Sequence, residues 1–410
     1  MAMASTPRYL PRTMEATLRR VAREFPAVLL TGPRQSGKTT LLRHLFGRSH
    51  RVVSLEPPDV RASAEADPRG FLEAHPPPVV LDEVQHAPGL LPYIKEAIDE
   101  HRHRAGQYIL TGSQNLLLLE RITETLAGRV AMLRLLPMSV REAEGVPRAP
   151  LPWERGRRPA REPQTAPELW RTLLRGGFPE LVAGPDRDLT LWHGSYAQTY
   201  LERDVRTLRQ VGDLSTFQAF VRALAARSGQ LLNLADLSRD LGVVLNTVKA
   251  WLSVLEASFQ VYVLRPYFAN IGKRLVKTPK VYFIDTGTLC YLTGIRDAGH
   301  AAAGPLAGPI FEAAVLGEIL KAHYHRGQDP EVFFWRTSTG VEVDFLVRHE
   351  GRLVPVEVKS TSTPRTAMAE GILSFRRDFP DLAGPGFVVH AGPLELPLAK
   401  NVRALPFARL

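Results

Sequence analysis

Apolar residues in the first third of the chain fall into short unbroken runs. Ala27-Val28-Leu29-Leu30, Val52-Val53, Val79-Val80-Leu81, Tyr108-Ile109-Leu110 and Val130–Leu136 read as buried strands. Between them the period changes to that of a helix. Arg8–Phe25 alternates Arg with Leu, Met and Val as an amphipathic lead-in helix, and Thr39–Phe46 is helix-compatible. Pro57, Pro58, Pro68 and Pro76–Pro78 break the chain into loops, and the whole predicts an α/β domain. Glu168–Arg209 is helical in pattern, interrupted at Gly176-Gly177 and Gly184-Pro185. Leu231–Leu264 predicts two short helices around a Gly242 turn, followed by strand. Further on come a helix (Ile310–His323), two strands about a tight His349–Arg352 turn, a strand at Gly386–His390 and an apolar tail, Ala404–Leu410, that docks.

The first apolar run leads directly into Gly32-Pro33-Arg34-Gln35-Ser36-Gly37-Lys38-Thr39-Thr40, which fills every position of the phosphate-binding loop pattern. Its glycines let backbone amides turn inward around a polyphosphate. Lys38 reaches the outer phosphates, the Thr39 hydroxyl is placed to ligate magnesium, and the following helix adds its positive dipole end. The expected cofactors are therefore ATP and Mg2+. The run Val79–Leu81 ends in Asp82-Glu83, where Asp82 would hold the metal's hydration shell and Glu83 would orient or deprotonate the attacking water. The strand through Leu110 ends in polar residues and is expected between the two motif strands. There Ser113 or Gln114 would face the terminal phosphate or the water, unless this is an ordinary polar strand exit. Arg129 would be supplied across a subunit boundary to neutralise transition-state charge, with a solvated arginine as the rival.

GPRQSGKTTLL, VVLDEVQ, ILTGSQ and LAGRVAMLRLLPMSVRE together resemble a bacterial and archaeal family of AAA-type ATPases fused to a carboxy-terminal domain of uncharacterised function. RGGFPE (Arg175–Glu180), YLERDV (Tyr200–Val205) and KVYFIDTG (Lys280–Gly287) extend the resemblance over nearly the whole chain. It implies a small helical lid over residues 168–212, with Arg175 as a lid arginine able to sense the terminal phosphate or, as the rival, an ordinary helix-end cation. It also implies a homo-oligomer, a hexameric ring among the arrangements.

Charge adds a direction: a net +10 over 410 residues favours polyanionic partners. No run of about 20 uncharged apolar residues offers a membrane span, and Met1–Arg12 has no apolar core for a signal peptide, so a cytoplasmic protein is expected. The single cysteine, Cys290, excludes an intramolecular disulfide and reads as a packed apolar side chain.

Residues 213–300 read as a winged helix. Asn246, Thr247 and Lys249 face outward on its second helix toward DNA, and Arg265, Lys273, Arg274, Lys277 and Lys280 form a basic wing. A winged helix used only for packing stays open. In the last domain, Asp344 on one strand and Glu357-x-Lys359 on the next match the metal-dependent nuclease arrangement of restriction-type enzymes. Asp344 and Glu357 would hold magnesium, and Lys359 would help activate water. Glu312, in the middle of an apolar helix stripe, is expected to join them, since a carboxylate aimed at a core needs a cation, a metal or donors. The region resembles the PD-(D/E)XK nuclease superfamily, with Val343 where the literal motif has proline. Active cleavage, DNA binding without cleavage and a structural role all remain open.

The expected organisation is a P-loop ATPase core at 1–146, a Pro/Arg-rich exposed linker at 147–167 and the lid at 168–212. The winged helix follows at 213–300 and the restriction-endonuclease-like α/β domain at 301–410. The function expected is an ATP-hydrolysing motor or remodelling protein acting on double-stranded or branched DNA. The rival is an ATP-dependent regulatory switch whose carboxy-terminal half binds a protein and cuts nothing.

Overall fold

The computed structural model describes residues 9–112, 124–156, 164–201, 214–267 and 276–410. These form two compact units. The first comprises Met1–Met138 with Ala257–Phe259 and Lys321–Gln328; the second comprises Ser139–Glu256, Gln260–Leu320 and Asp329–Leu410.

In the first unit, α1 (Met14–Val21) precedes β1 (Ala27–Thr31), α2 (Lys38–Phe46), β2 (Arg51–Ser54), α3 (Pro58–Ala66), α4 (Pro68–Ala74), β3 (Val79–Asp82), α5 (Leu91–Glu100), β4 (Tyr108–Gly112) and β5 (Val130–Arg134). The five strands form one sheet in the order β2-β3-β4-β1-β5, every pairing parallel. Parallel strands need crossover helices, which cover both faces, and this is why the strands are apolar without alternation. Along β1, Ala27 and Leu29 enter one core with Leu81 and Ile94, while Val28 and Leu30 enter the other with Leu41 and Ile109. Each fully buried aliphatic side chain contributes about 1.5–3 kcal/mol, so β1 is anchored from both sides.

The second unit opens with α6 (Val140–Ala143), started by a Ser139–Glu142 capping box. The Val140 N–H donates to the Glu318 carboxylate at 3.0 Å, tying α6 into this unit. The expected exposed linker is also packed in part. Leu151 is fully buried and the Trp153 ring lies 5.8 Å from that of Phe387. Helices α7 (Ala166–Arg175), α8 (Pro179–Ala183) and α9 (Leu189–Tyr196) follow. They belong to this unit. Next come α10 (Leu214–Ala226), α11 (Leu234–Leu241), α12 (Leu245–Ala257) and an antiparallel pair, β6 (Val261–Leu264) and β7 (Lys280–Phe283).

The family phrases RGGFPE and KVYFIDTG meet in this unit. The Asp285 carboxylate accepts from the Gly177 N–H at 2.7 Å and from the Thr288 N–H at 2.8 Å. It thereby caps α13 (Thr286–Leu292) and ties it to the end of α7. Gly287 is required by close approach: a Cβ there would lie 2.5 Å from His193 Nε2 and 2.6 Å from the Arg175 carbonyl.

After α14 (Ala298–Ala303) and α15 (Ala307–Tyr324), the chain builds β8 (Val332–Arg336), β9 (Glu342–His349), β10 (Arg352–Lys359), α16 (Glu370–Asp378), β11 (Gly386–His390), β12 (Leu396–Ala399) and β13 (Val402–Pro406). The sheet order is β12-β13-β11-β10-β9-β8, parallel at β10/β11 and β11/β13 and antiparallel elsewhere. The β9–β10 hairpin turns through Glu350 (φ 45°) and Gly351 (φ 78°), the two-residue turn whose twist matches its strands. The apolar tail docks as expected, with Leu405 and Leu410 buried. No helix among the described residues is long and apolar enough to cross a membrane.

Candidate functional site

The loop between β1 and α2 is held in an unusual backbone path by Gly32 (φ 150°), Gln35 (φ 59°) and Gly37 (φ 91°). A Cβ on Gly32 would lie 2.1 Å from the Leu135 carbonyl oxygen, so only glycine lets the loop lie against β5's end. Lys38 is buried, and its Nζ donates to the Gly32 and Pro33 carbonyls at 3.0 Å each, which places its charge inside the loop. Ser36 Oγ is buried there without a hydrogen-bond partner. Arg12 braces the loop from outside, donating to the Ser36 carbonyl at 2.9 Å and the Leu136 carbonyl at 2.7 Å. The sequence pattern placed Arg12 only in an amphipathic stretch, with nothing to mark this role.

Parallel pairing sets β4 between β1 and β3, as expected, and brings the Asp82-Glu83 end beside the loop. Thr39 Oγ1 lies 3.1 and 3.0 Å from the two Asp82 carboxylate oxygens. Thr111, at the end of β4, donates to Asp82 Oδ1 and accepts from the Glu83 N–H at 3.1 Å. One buried hydroxyl thus positions both acids. Thr111 was legible only as part of a polar strand exit; Ser113 and Gln114, the residues expected to act there, lie outside the described residues. Glu83 sits in the left-handed region (φ 59°, ψ 49°), a strained conformation for a residue with a side chain, and its carboxylate takes a hydrogen bond from Gln85 Nε2. The donor set fits both expected ligands: an inward-turned loop with a buried ammonium and an unpartnered hydroxyl for phosphates, and a hydroxyl and a carboxylate, both hard oxygen donors, for magnesium.

Arg129 makes a bidentate pair with Asp99 of α5, at 2.7 and 2.9 Å, and a third bond to the Ala127 carbonyl at 3.0 Å. Arg175 takes the contacts of the rival reading, a helix-end cation. Its guanidinium is occupied by the Leu181, Gly184 and Pro185 carbonyls at 3.2, 3.4 and 2.8 Å, so it closes the end of α8.

In the second unit, four acids converge on one face of β9, β10 and α15. Glu312 accepts from the Tyr282 hydroxyl at 2.9 Å, and Asp344 Oδ2 accepts from the Val358 N–H at 2.8 Å. Glu357 pairs with Lys359 at 2.6 Å, and Glu342 pairs with Arg336 at 2.9 Å and with Lys280. Glu312 therefore does join Asp344, Glu357 and Lys359. Glu342, Tyr282 and Lys280 were not foreseen as members. Lys280 was counted with an exposed basic wing, yet it is buried; Arg265 and Lys277 are exposed, and Lys273 and Arg274 lie outside the described residues.

Burial pushes Glu312 and Glu357 up to about 8, with the Asp344 charge adding to the effect. Burial also raises Asp344, against the pull of Lys280 and Lys359. Burial alone would lower Lys280, but the Glu312, Asp344 and Glu342 carboxylates outweigh it and keep the ammonium charged. Among the described residues no group of three or more His, Cys, Asp or Glu is placed to hold a metal ion. Asp344 and Glu357, the expected magnesium ligands, face a backbone donor and a cation respectively. Asn246 and Lys249 are exposed and Thr247 half-buried on α12, outward as expected.

Three family models match the chain: an AAA domain over residues 24–144, a domain of unknown function (DUF8612) over 166–299 and a domain of unknown function (DUF4143) over 307–410. The uncharacterized proteins Rv2008c of Mycobacterium tuberculosis and Mb2031c of Mycobacterium bovis are each 33% identical over 398 residues, 96% of this chain and 83% of theirs. The chain belongs to their family. Its first domain is an AAA-type P-loop ATPase domain. An uncharacterized protein of Haemophilus influenzae shares 24% identity with this family member over 280 residues, 66% of this chain and 63% of that one. Among solved structures, the Walker-type ATPase PABY2304 of Pyrococcus abyssi aligns at 17% identity and a TM-score of 0.43, covering 68% of this chain and 94% of the other.

Proposed function

We propose that the protein is an ATP-hydrolysing, DNA-binding motor or remodelling protein. The observation that carries the ATPase half is the convergence of Thr39 and Thr111 on Asp82, beside a complete phosphate loop. Lys38 and the loop amides bind the β- and γ-phosphates and neutralise charge as it moves toward the leaving ADP. Thr39 and Asp82 would hold magnesium, which would supply positive charge to offset that of the phosphates. Glu83 takes the proton of the attacking water, and its strained backbone fixes the carboxylate's direction. Arg129 completes the site of a neighbouring copy in a homo-oligomer, which requires the Asp99 pair to open.

The DNA half rests on the second unit. The winged-helix reading is supported by the element order α10, α11, α12, β6, β7 and by the outward placing of Asn246, Thr247 and Lys249. The restriction-type reading is supported by the order α15, β8, β9, β10, α16, β11. An open cleft of about 1110 Å³ over β10 and α16 carries Lys359, Arg376, Arg377 and Lys400 beside Glu342, Glu357 and Glu370, and its cations are the groups that would meet phosphates. Cleavage would need a metal at Asp344 and Glu357, and the residues around them do not fit one, so the reading is DNA binding without a cutting step. Fluorescence anisotropy at low ionic strength with linear, single-stranded and branched DNA tests it. Binding that weakens linearly in log salt is expected; absence of binding to all three overturns it.

A further inference from the structure

The acids of β9, β10 and α15 have the make-up of a hydrolytic metal site, yet the chain balances their charge from within. Lys280 comes from β7, in a different sheet, and its side chain is only 6% exposed. Its Nζ pairs with Glu342 and lies 5.6 Å from the centre of the Phe334 ring. Alternation along β7 puts Tyr282 on the same face, where its hydroxyl donates to Glu312. Alternation along β9 likewise puts Asp344 beside Glu342. One strand therefore delivers an ammonium and an O–H donor to the acids that the fold would otherwise turn toward a metal.

The far side is filled in the same way, by Lys359 on Glu357 and the Val358 N–H on Asp344. Lys280 and Arg336 pair with Glu342 and Lys359 pairs with Glu357, which offsets much of the charge that would draw in a dication. Entry of a metal between Glu342 and Asp344 would also strip Lys280 of its partner and leave a buried ammonium unpaired, a costly state. Two carboxylate oxygens of the cluster are buried without a hydrogen-bond partner, Glu342 Oε1 and Glu357 Oε2; the first faces the Lys280 ammonium, which already fills the place a metal would take beside it.

We infer that the Lys280 ammonium stands in the place of a divalent cation, so that this nuclease-like cluster is closed to metal and the domain holds a phosphodiester without cutting it. The inference rests on the nuclease-like reading above, but its test uses no nucleic acid, so failure of DNA binding and failure of metal exclusion are told apart.

The test is Mn2+ titration of the nucleotide-free full chain, with free Mn2+ read by electron paramagnetic resonance. The wild type is compared with Asp344→Asn, Lys280→Ala and the double variant. Wild type and Asp344→Asn are expected to take up the same number of ions, because any ion bound lies elsewhere. Lys280→Ala is expected to gain one ion that the double variant loses. Loss of one ion in Asp344→Asn overturns the inference, as does a folded Lys280→Ala that gains none. Should Lys280→Ala not fold, the comparison of wild type with Asp344→Asn decides alone.

Discussion

The two acidic centres of this chain use the same residue types and neutralise them differently. At the end of β3, Asp82 faces hydroxyls, Thr39 on one side and Thr111 on the other. On β9 and β10, Asp344, Glu342 and Glu357 face a backbone N–H and the cations of Lys280, Arg336 and Lys359. Hydroxyl partners orient a carboxylate without cancelling its charge, which remains available to a metal. Ammonium partners cancel it. Position at a strand end is therefore not enough to identify a metal-dependent site; the sign of the neighbouring side chains decides.

Removing the acid or the ammonium on the ATPase side is expected to have the largest effects. Glu83→Gln should still bind ATP while turnover falls by about 10²–10⁴-fold, the usual worth of a positioned base, and steady-state phosphate release against nucleotide binding checks it. Lys38→Ala should lower turnover by about 10²–10³-fold through loss of charge stabilisation, whereas Lys359→Ala should leave turnover unchanged. The contrast sharpens if only the first-unit lysine matters to ATP.

On the other side the expected effects are on stability. Lys280→Met leaves Glu342 and Asp344 without their buried cation and should cost about 3–5 kcal/mol in denaturant unfolding. A smaller effect is pH-dependent. Folded Glu312 titrates at about 8, above the ordinary carboxylate range, so between the two values the folded protein holds a proton that the unfolded chain has released. Stability is then fully present in acid and falls as pH rises through about 8. Thermal melts should shift down by several degrees between pH 6 and pH 9 on this account, and Glu312→Gln should flatten the profile.

The parts of this arrangement that were legible in the sequence are those whose chemistry is local. The phosphate loop, Asp82-Glu83 and the β9–β10 hairpin each sit within one short stretch, and alternation alone puts Glu357 and Lys359 on one face. Glu312 was legible because an acid inside an apolar stripe demands partners. The misread residues depend on distant neighbours. Lys280 has the look of a surface cation until β7 is laid against β9, and Thr111 gains its role only when β4 is placed between β1 and β3. Arg12, 24 residues from the Ser36 carbonyl it braces, carries no local signal at all. Arg175 stayed open between two readings because a helix-end arginine serves a nearby carbonyl or a phosphate equally well, and its carbonyl partners reach as far as Pro185.

The central claim is that ATP chemistry in the first unit acts on a polyanion bound by the second. It is tested most directly by the ATP turnover of the full chain at low ionic strength, with and without double-stranded DNA. The account predicts faster turnover with DNA and a steep loss of that increment as salt rises. Turnover unaltered by DNA at every salt concentration would contradict it.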